Sequence, residues 1–503
     1  MSLYLGIDFG TSTNVVTRWD ETKKDAIPIP FAKYGGGSVF QNVVYYESPT
    51  NIIVGDAAVE LGKRNPQNAV FEIKRRLESS DFKQFIPTLG RSLSSEEIAV
   101  DIFSWIKREV EIKFGGQKVD GVVISVPFAF QNRERKVIER AAKRAGLNVL
   151  GLIEEPVAAA LSFGIMNKAV RGKAEKILVF DLGGGTFDVT IFNFQKKSDR
   201  QFSIRVIDTD GAKELGGIDI DNLMVDKIVE KMEETFPEDY HLDTFNSSLQ
   251  EDEIFMIRQN AIEAKLALSD EDETDLFFTS TFNDEFLLDE TITREDFDEW
   301  LEEFLIKVEN VLEDALLDAD LSPDDIDRII MVGGTSKIPA VTDKVRDYFG
   351  KDPQQIGDLT LMVGRGAGIY CGLKYVDKSL DCDIAVGVSQ NVGLKWRGKF
   401  IEMLPRNTLY GTPSKFAILN LNKSPQKELS IPIAQGNRVK NVVVGIIPVP
   451  MKIRGKLDNG KLGVKLTTDE NNGTISYELW SVIDRNGVEE SQTLLVADKA
   501  EEE

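Results

Sequence analysis

Histidine is almost missing from this chain: His241 is the only one in 503 residues. With a single imidazole, set in the polar stretch FPEDYHLD, a catalytic histidine or a histidine-rich metal site is nearly excluded. Cysteine is scarce as well, with only Cys371 and Cys382. Two thiols build no disulfide framework and point to a reducing compartment. There is no run of about 18 apolar residues, and no basic-then-apolar leader precedes the strand-like start Leu3–Asp8. These absences lead to the expectation of a cytoplasmic protein with no membrane partner. Basic charge is in deficit, with 60 Lys and Arg against 83 Asp and Glu, a formal net charge of -23. Phosphate-backbone binding needs a clustered basic face, so nucleic acid is not the expected partner. The acidic runs Glu251–Glu253 and Asp270–Asp275 read as solvated faces.

The length implies several domains. One internal similarity organises them: YLGIDFGTSTNVV at 4–16 and ILVFDLGGGTFDVTIF at 177–192. Each is an apolar strand ending in an aspartate, a Gly/Thr turn, and a second β-branched strand. Two copies in one chain predict a duplicated lobe rather than a tandem array. After the first copy the pattern predicts a strand at Val119–Val126, a helix at Arg133–Arg144, a strand at Val149–Ile153 and a helix from Glu155. After the second it predicts helices at Ile218–Thr235 and Glu251–Leu268, a hairpin at Asp275–Leu288 and one long helix at Arg294–Leu317. A strand at Arg328–Val332 and helices at Ile338–Tyr348 and Leu361–Tyr375 complete it. Alternating strands and helices predict an α/β core. Beyond Tyr375 helical periodicity stops, and β-branched runs alternate with the turn pairs Asn459-Gly460, Asn472-Gly473 and Asn486-Gly487. The expected division is an α/β domain over 1–376, a linker over 377–385 and an all-β domain over 386–503. Glu501–Glu503 are expected to fray.

Several motifs carry chemistry. Turns of Gly and Thr let backbone N–H groups approach a phosphate, with hydroxyls adding donors. Asp8 and Asp181 end the two matching strands and can face each other across a cleft, holding Mg²⁺ through its waters. The stretch IIMVGGTSKIP at 329–339 is a strand, a Gly333-Gly334 turn and a helix whose N-terminus Thr335 or Ser336 would cap. Glycines there leave room for a flat nucleoside against the backbone. In LIEEPVAAALSFG at 152–164, Glu154 and Glu155 sit at a strand-to-helix junction, with Pro156 in the first helical turn. A carboxylate at that point can orient a cation's shell or an attacking water. In FEIKRR at 71–76, a lysine reaching a terminal phosphate would stabilise the charge that develops there. On spacing alone Lys74 is an ordinary surface lysine.

Taken together, GIDFGTS, VPFAF, IEEPVAAALSFG, VFDLGGGTFDVT, LGGIDIDN and VGGTSKIP resemble, in order and spacing, the 70-kDa heat-shock proteins, the DnaK-like chaperones. The resemblance is close over 3–375 and looser to about residue 495. GGGTFD with EEPVAAA separates this family from actins, bacterial filament proteins and sugar kinases of the same fold. It implies an actin-like two-lobed ATPase of duplicated ribonuclease-H-like lobes, followed by an all-β sandwich that binds peptide. It also implies ATP and ADP as ligands, with Mg²⁺ and K⁺. Asp8, Asp181 and Glu155 match the carboxylates that position Mg²⁺ and water, and Asp188 with Thr186 match the centre that holds K⁺. Gly10, Thr11, Ser12 and Thr13 match one phosphate loop; Gly183, Gly184, Gly185 and Thr186 match the other. Lys74 matches the lysine that positions the γ-phosphate and the attacking water. Gly216, Gly217, Lys265, Ser269, Gly333, Gly334, Thr335, Lys337 and Asp358 match the adenosine site. Pro127 and Arg135 match a pair that relays nucleotide state. The implied partners are unfolded or extended polypeptides, a J-domain co-chaperone and a nucleotide exchange factor, with the protein a monomer.

The chain departs from the family at four places. Ile262 stands where the family commonly has a glutamate near the nucleoside, and Lys337 replaces an arginine that flanks adenine. Gly151 replaces an arginine used in contacts with the linker and J-domain partners. The linker lacks the usual leucines and offers Val376, Leu380, Ile384, Val386 and Val388 instead. The family's helical lid would follow the β-domain beyond Glu503; either this is a short, lidless member or the sequence is a truncated piece of a longer chain. A lidless groove is expected to release peptide quickly. Ile384, Val386, Val388 and Phe416 are read as sandwich core rather than groove. Two other readings share the fold: a regulatory ATP-binding relative without a peptide cycle, and a small-molecule kinase. A kinase needs a base aimed at a substrate hydroxyl, which nothing in this sequence supplies.

Overall fold

The computed structural model describes residues 2–31, 37–79, 81–166, 172–198, 201–212, 214–235, 251–279, 287–355, 357–377, 381–388, 390–421, 429–436, 441–449, 457, 461–485 and 488–499. His241, Leu380, the pairs Asn459-Gly460 and Asn486-Gly487, and Glu501–Glu503 lie outside the described residues.

The first lobe carries β1 (Tyr4–Phe9), β2 (Thr13–Asp20), β3 (Asp25–Pro28) and β4 (Val39–Gln41). Two small sheets follow, of β5 (Val44–Ser48), β6 (Asn51–Val54) and β7 (Ala69–Val70), and of β8 (Lys83–Ile86) and β9 (Arg91–Ser94). Returning to the main sheet, β10 (Gly121–Val126) and β11 (Val149–Glu154) complete the order β11-β10-β1-β2-β3, with β4 on β2. Its helices are α1 (Asp56–Gly62), α2 (Ser95–Lys113), α3 (Asn132–Arg144) and α4 (Glu155–Met166). Every residue of β10 is buried, as expected of a strand covered on both faces. Helix α2 starts on a capping box, with the Ser94 hydroxyl accepting from Glu97 N–H and the Glu97 carboxylate accepting from Ser94 N–H.

The second lobe repeats the plan. Its sheet joins β12 (Glu175–Leu182), β13 (Phe187–Ser198) and β14 (Gln201–Ala212) in antiparallel order. The hairpin β15 (Glu273–Thr279) and β16 (Leu287–Thr293) stands apart, and β17 (Arg328–Val332) runs parallel to β12. In the first lobe the β1–β2 hairpin lies beside parallel β10; in the second the β12–β13 hairpin lies beside parallel β17. The duplicated motif is thus a duplicated sheet position. Helices α5 (Gly217–Thr235) and α6 (Glu251–Asp270) pack on this lobe. The long helix expected over Arg294–Leu317 is two, α7 (Arg294–Trp300) and α8 (Glu302–Asp318), meeting at Leu301, whose side chain is fully buried. Helix α9 (Pro339–Phe349) starts after a 3₁₀ turn, Thr335–Lys337, so neither Thr335 nor Ser336 caps it. The Ser336 hydroxyl donates back to the Val332 carbonyl instead.

Between the two sheets lie α4 and α10 (Met362–Cys371), in one apolar cluster with Ile177, Val179, Ile330 and Val332. Their crossing depends on glycine. A Cβ on Gly366 would stand 1.8 Å from the Ala158 carbonyl oxygen, and one on Gly368 would stand 2.2 Å from the Thr17 hydroxyl. Glycine inside a helix costs about 1 kcal/mol relative to alanine; here it admits helix and sheet at a separation no side chain allows. Cys371 closes this cluster, and burial pushes its thiol up to about 12.

The chain then turns through Gly372–Val376 into β18 (Asp381–Ala385), which adds to the second lobe's sheet parallel to β14. The segment expected to be a linker therefore carries a strand. Strands β19 (Val392–Trp396), β20 (Lys399–Leu404), β21 (Ala417–Asn420), β22 (Leu429–Gly436), β23 (Asn441–Val449), β24 (Lys461–Thr468), β25 (Ile475–Arg485) and β26 (Val488–Lys499) form two four-stranded sheets. Their orders are β20-β19-β22-β23 and β21-β24-β25-β26. Both sheets contribute to one core that includes Leu394, Ile433, Val464 and Leu479. Val388 joins that core, as expected. Ile384 and Val386 do not; they pack on the cluster between the lobes. Phe416 is half-buried, with the Lys465 ammonium 4.0 Å from its ring centroid.

Gly366→Ala forces a methyl onto backbone and is expected to cost about 1–3 kcal/mol or more. Calorimetry should show a lower unfolding midpoint than for Gly37→Ala, where an added Cβ meets nothing within 4 Å. Equal midpoints would contradict the close crossing.

Candidate active site

Two turns face each other where the lobes meet. Gly10–Thr13 leads from β1 into β2, and Gly183–Thr186 leads from β12 into β13. A Cβ on Gly184 would lie 2.0 Å from the Ser12 hydroxyl, and one on Gly185 would lie 2.6 Å from Thr11 Cγ2. The loops interlock because one supplies the hydroxyls of Thr11 and Ser12 and the other supplies no side chain at Gly184 and Gly185. The first is held by Asn42, which donates from its amide to Gly10 O at 2.5 Å and from its backbone to Ser12 O at 2.7 Å. The second is held by the start of α5, where Gly217 N and Ile218 N donate to Gly183 O and Gly184 O at 3.0 and 2.7 Å. The Thr335 hydroxyl also donates to Gly183 O, at 2.8 Å. That is the work Thr335 does in place of a helix cap. Gly333 adopts φ 86°, where a Cβ would meet Leu182 O at 2.3 Å, so glycine is required twice over.

Beneath the turns lie the carboxylates. Strand register places Asp181 opposite Asp188, and Asp8 beside Ser125, whose hydroxyl donates to Asp8 Oδ1 at 2.8 Å. Glu155 opens α4 and accepts from Lys74 Nζ at 2.6 Å. Both partners are buried, at 5% exposure for Lys74 and 8% for Glu155. Lys74 reaches this point from a 3₁₀ turn, Ile73–Arg76, entered through Glu72 in the left-handed region at φ 55°. Such a conformation is uncommon for a residue with a Cβ. The Lys74 ammonium also lies 5.7 Å from the Phe130 ring centroid.

One lysine does not balance this charge. Burial, then the charge of Glu155, pushes the Asp8 carboxyl up to about 7 against the pull of Lys74 and Ser125. Burial and Glu155 do the same to Asp188, also to about 7. Asp181 is raised well above its ordinary value by burial and by Glu155, Asp188 and Asp8. Its buried Oδ2 has no hydrogen-bond partner. Among the described residues no three acidic, cysteine or histidine side chains stand close enough to cage a metal directly. An unsatisfied buried carboxylate without a ready-made cage fits a hard cation that keeps its waters, as Mg²⁺ does.

Asp8, Gly10–Thr13, Lys74, Glu155, Asp181, Gly183–Thr186, Gly333 and Gly334 all line one cavity of about 70 Å³. It shares Thr11, Lys74 and Thr186 with a cavity of about 700 Å³ between the lobes. Pro127 and Ile262 line the larger cavity. Gly216 packs on the second loop, where a Cβ would lie 2.8 Å from Gly185 N. Lys265 pairs with Asp221 at 2.5 Å and donates to Gly217 O, while the Ser269 hydroxyl donates back to Lys265 O. Lys337 and Asp358 form an exposed pair at 3.2 Å. Arg135 is buried away from the loops, bonded to Glu154 at 2.9 Å.

Three participants carry little or no signal in the sequence. Arg75 crosses the cleft, donating to Gly185 O and to Asp219, each at 2.8 Å. Its only sequence signal is its place beside Lys74. Asn42 and Ser125 give none, because their roles depend on strand register.

A two-lobed fold with paired phosphate-type turns over a lysine and a carboxylate cluster defines the actin-like ATPase class, here followed by a β-sandwich. Comparison with known proteins narrows this. The family profile described as Hsp70 protein matches residues 4–444. The "Chaperone protein DnaK" of Mycoplasmopsis synoviae (strain 53) is 31% identical over 442 residues, covering 87% of this chain and 69% of that protein. The "Chaperone protein DnaK" of Thermotoga petrophila is 33% identical over 465 residues, covering 90% and 74%. The "Chaperone protein dnaK" of Cyanidium caldarium is 31% identical over 468 residues, covering 87% and 71%. The chain belongs to the Hsp70 family.

The raised Asp188 carboxyl yields a pH prediction. Its folded value near 7 lies above the ordinary 3.8, so the cost of its charge is absent below about pH 4, grows between them and is full above 7. In chelator and without nucleotide, Asp188→Asn is expected to raise the unfolding midpoint at pH 8 and to lose that gain toward pH 4. A gain that did not depend on pH would contradict the charge account.

Proposed function

We propose that this chain hydrolyses ATP in the cleft between its lobes and uses nucleotide state to switch its β-domain between weak and tight binding of extended apolar peptide. As an Hsp70-family member it is an ATP-dependent molecular chaperone and an ATPase. The observation that carries the reading is the interlocking of the two loops directly above the buried Lys74–Glu155 pair.

In this reading, Gly10–Thr13 and Gly183–Thr186 cradle the phosphates with backbone N–H groups and hydroxyls. Lys74 sits against the terminal phosphate, and Glu155 holds its ammonium in place. Asp8, Asp181 and Glu155 would hold Mg²⁺, and Asp188 with Thr186 would hold K⁺. Bound, these cations would neutralise phosphate charge that the carboxylates alone repel. Gly216, Gly217, Lys265, Ser269, Gly333, Gly334, Thr335, Lys337 and Asp358 hold the adenosine. Pro127 and Arg135 relay nucleotide state. The working division is an ATPase domain over 1–376, a connecting segment over 377–385 and a peptide-binding domain over 386–503. The partners proposed are unfolded clients, a J-domain co-chaperone and an exchange factor, acting on a cytoplasmic monomer. Among the described residues no helix is long and apolar enough to cross a membrane.

The test is fluorescent-peptide affinity in ATP and in ADP, with ATP turnover followed in the same sample. Nucleotide-dependent affinity with measurable turnover is expected. Lys74→Ala should abolish turnover and leave ATP binding within a few-fold. Turnover with nucleotide-indifferent peptide binding would instead favour a regulatory ATPase.

A further inference from the structure

Successive carboxylates at the β11–α4 junction face opposite ways. Glu155 turns into the cleft toward Lys74. Glu154, the last residue of β11, turns the other way and is 3% exposed. Two donors converge on its Oε1: Arg135 Nη1 at 2.9 Å and the Tyr410 hydroxyl at 2.8 Å. Arg135 is also 3% exposed and belongs to the first lobe, whereas Tyr410 comes from the β-domain, between β20 and β21. The Arg135 guanidinium lies 5.8 Å from the Tyr410 ring centroid and donates further to Asn472 O, again in the β-domain. Arg135, Glu154 and Tyr410 form a closed set, with one charge pair and one neutral donor.

The surrounding contact is built from backbone and amides. Leu152 N donates to Asn471 O at 2.9 Å. This approach needs Gly151, since a Cβ there would lie 2.9 Å from both Asn471 O and the Tyr375 hydroxyl. Asn132, at the start of α3, donates to Gln435 Oε1 and Val444 O and accepts from Ile475 N. The β-domain thus grips the last strand of the first lobe and ends its grip at Glu154.

We infer that the Tyr410–Glu154 hydrogen bond is the contact through which seating of the β-domain holds the β11–α4 junction, and with it Glu155 against Lys74. Tyr410 is a positioning residue: it touches no reacting atom and acts through one peptide unit. Burial pushes its hydroxyl well above the ordinary tyrosine range, so it remains a donor. Unseating the β-domain leaves Glu154 with Arg135 alone and frees the junction to move Glu155. This inference rests on the nucleotide-coupled cycle proposed above and names the residue pair that transmits it.

The test uses the full chain. Peptide Kd is measured in ATP and in ADP, and single-turnover ATP hydrolysis is measured with and without peptide. Tyr410→Phe keeps the ring and the Arg135–Glu154 pair and removes one hydrogen bond to a charged acceptor. The ATP-to-ADP ratio of peptide Kd and the acceleration of hydrolysis by peptide are each expected to shift by roughly tenfold toward one. The Kd for ATP should stay as in wild type. Glu154→Gln leaves an amide oxygen that still accepts from Tyr410 but removes its charge, so coupling should weaken in part, and Tyr410→Phe should cost less coupling in the Glu154→Gln background than in wild type. Wild-type coupling in Tyr410→Phe would overturn the inference and leave the nucleotide-coupled cycle standing. A wild-type chain whose peptide affinity ignores nucleotide would overturn both.

Discussion

Buried Asp181, Asp188 and Glu155 and partly buried Asp8 crowd round a single lysine between the two lobes. Each is fixed by something it cannot escape. Asp8 and Asp181 end strands held in parallel register to β10 and β17, Asp188 lies opposite Asp181, and Glu155 begins a helix buried on every side. Unrelieved negative charge at that density costs stability, so it is kept only for a ligand that brings positive charge or needs it oriented. The loops above contribute donors for anions, and the carboxylates below attract cations. A cation-bound polyphosphate satisfies both at once. That constraint explains why the loops interlock through glycine and why Arg75 spans the cleft.

The same junction serves the second domain. The β11–α4 turn carries one carboxylate into the cleft and the next into the contact with the β-domain. A second tie lies on the other lobe, where Arg406 pairs with Asp208 at 3.1 Å and with Asp318 at 2.6 Å. Between them, β18 extends the second lobe's sheet. The β-domain is therefore held to the first lobe by neutral groups around one buried ion pair, and to the second by a half-exposed Arg406 that pairs with buried Asp208 and exposed Asp318. Salt should weaken the second set more than the first.

The sequence made the lobes legible because a repeated strand–turn–strand carries its own phase, and because strands such as β10 and β17 are mostly apolar. The cleft residues were legible as motifs, yet their partners were not. Ser125, Asn42 and Arg75 act through register and lobe packing, which no local pattern encodes. The break at Leu301 escaped because helical periodicity runs through it on both sides. Thr335 looked like a cap because Thr before a helix usually is one; here the cleft takes its hydroxyl. Ile384 and Val386 looked like sandwich core because β-branched alternation does not say which sheet a strand joins. Gly151 stood out as a missing arginine; in the structure it is an approach path for the Asn471 carbonyl.

The central claim is that the cleft's carboxylates are held in a state that only a cation-bound phosphate ligand completes. Calorimetric titration of ADP into the chain, first with Mg²⁺ and then in excess chelator, tests this directly. The account predicts that removing Mg²⁺ weakens ADP by roughly a hundredfold or more, since a charge-assisted hydrogen bond is worth about 1.5–3 kcal/mol and the cation's waters make several. ADP affinity indifferent to Mg²⁺ would mean that the carboxylates do not serve the ligand, and the account would fail.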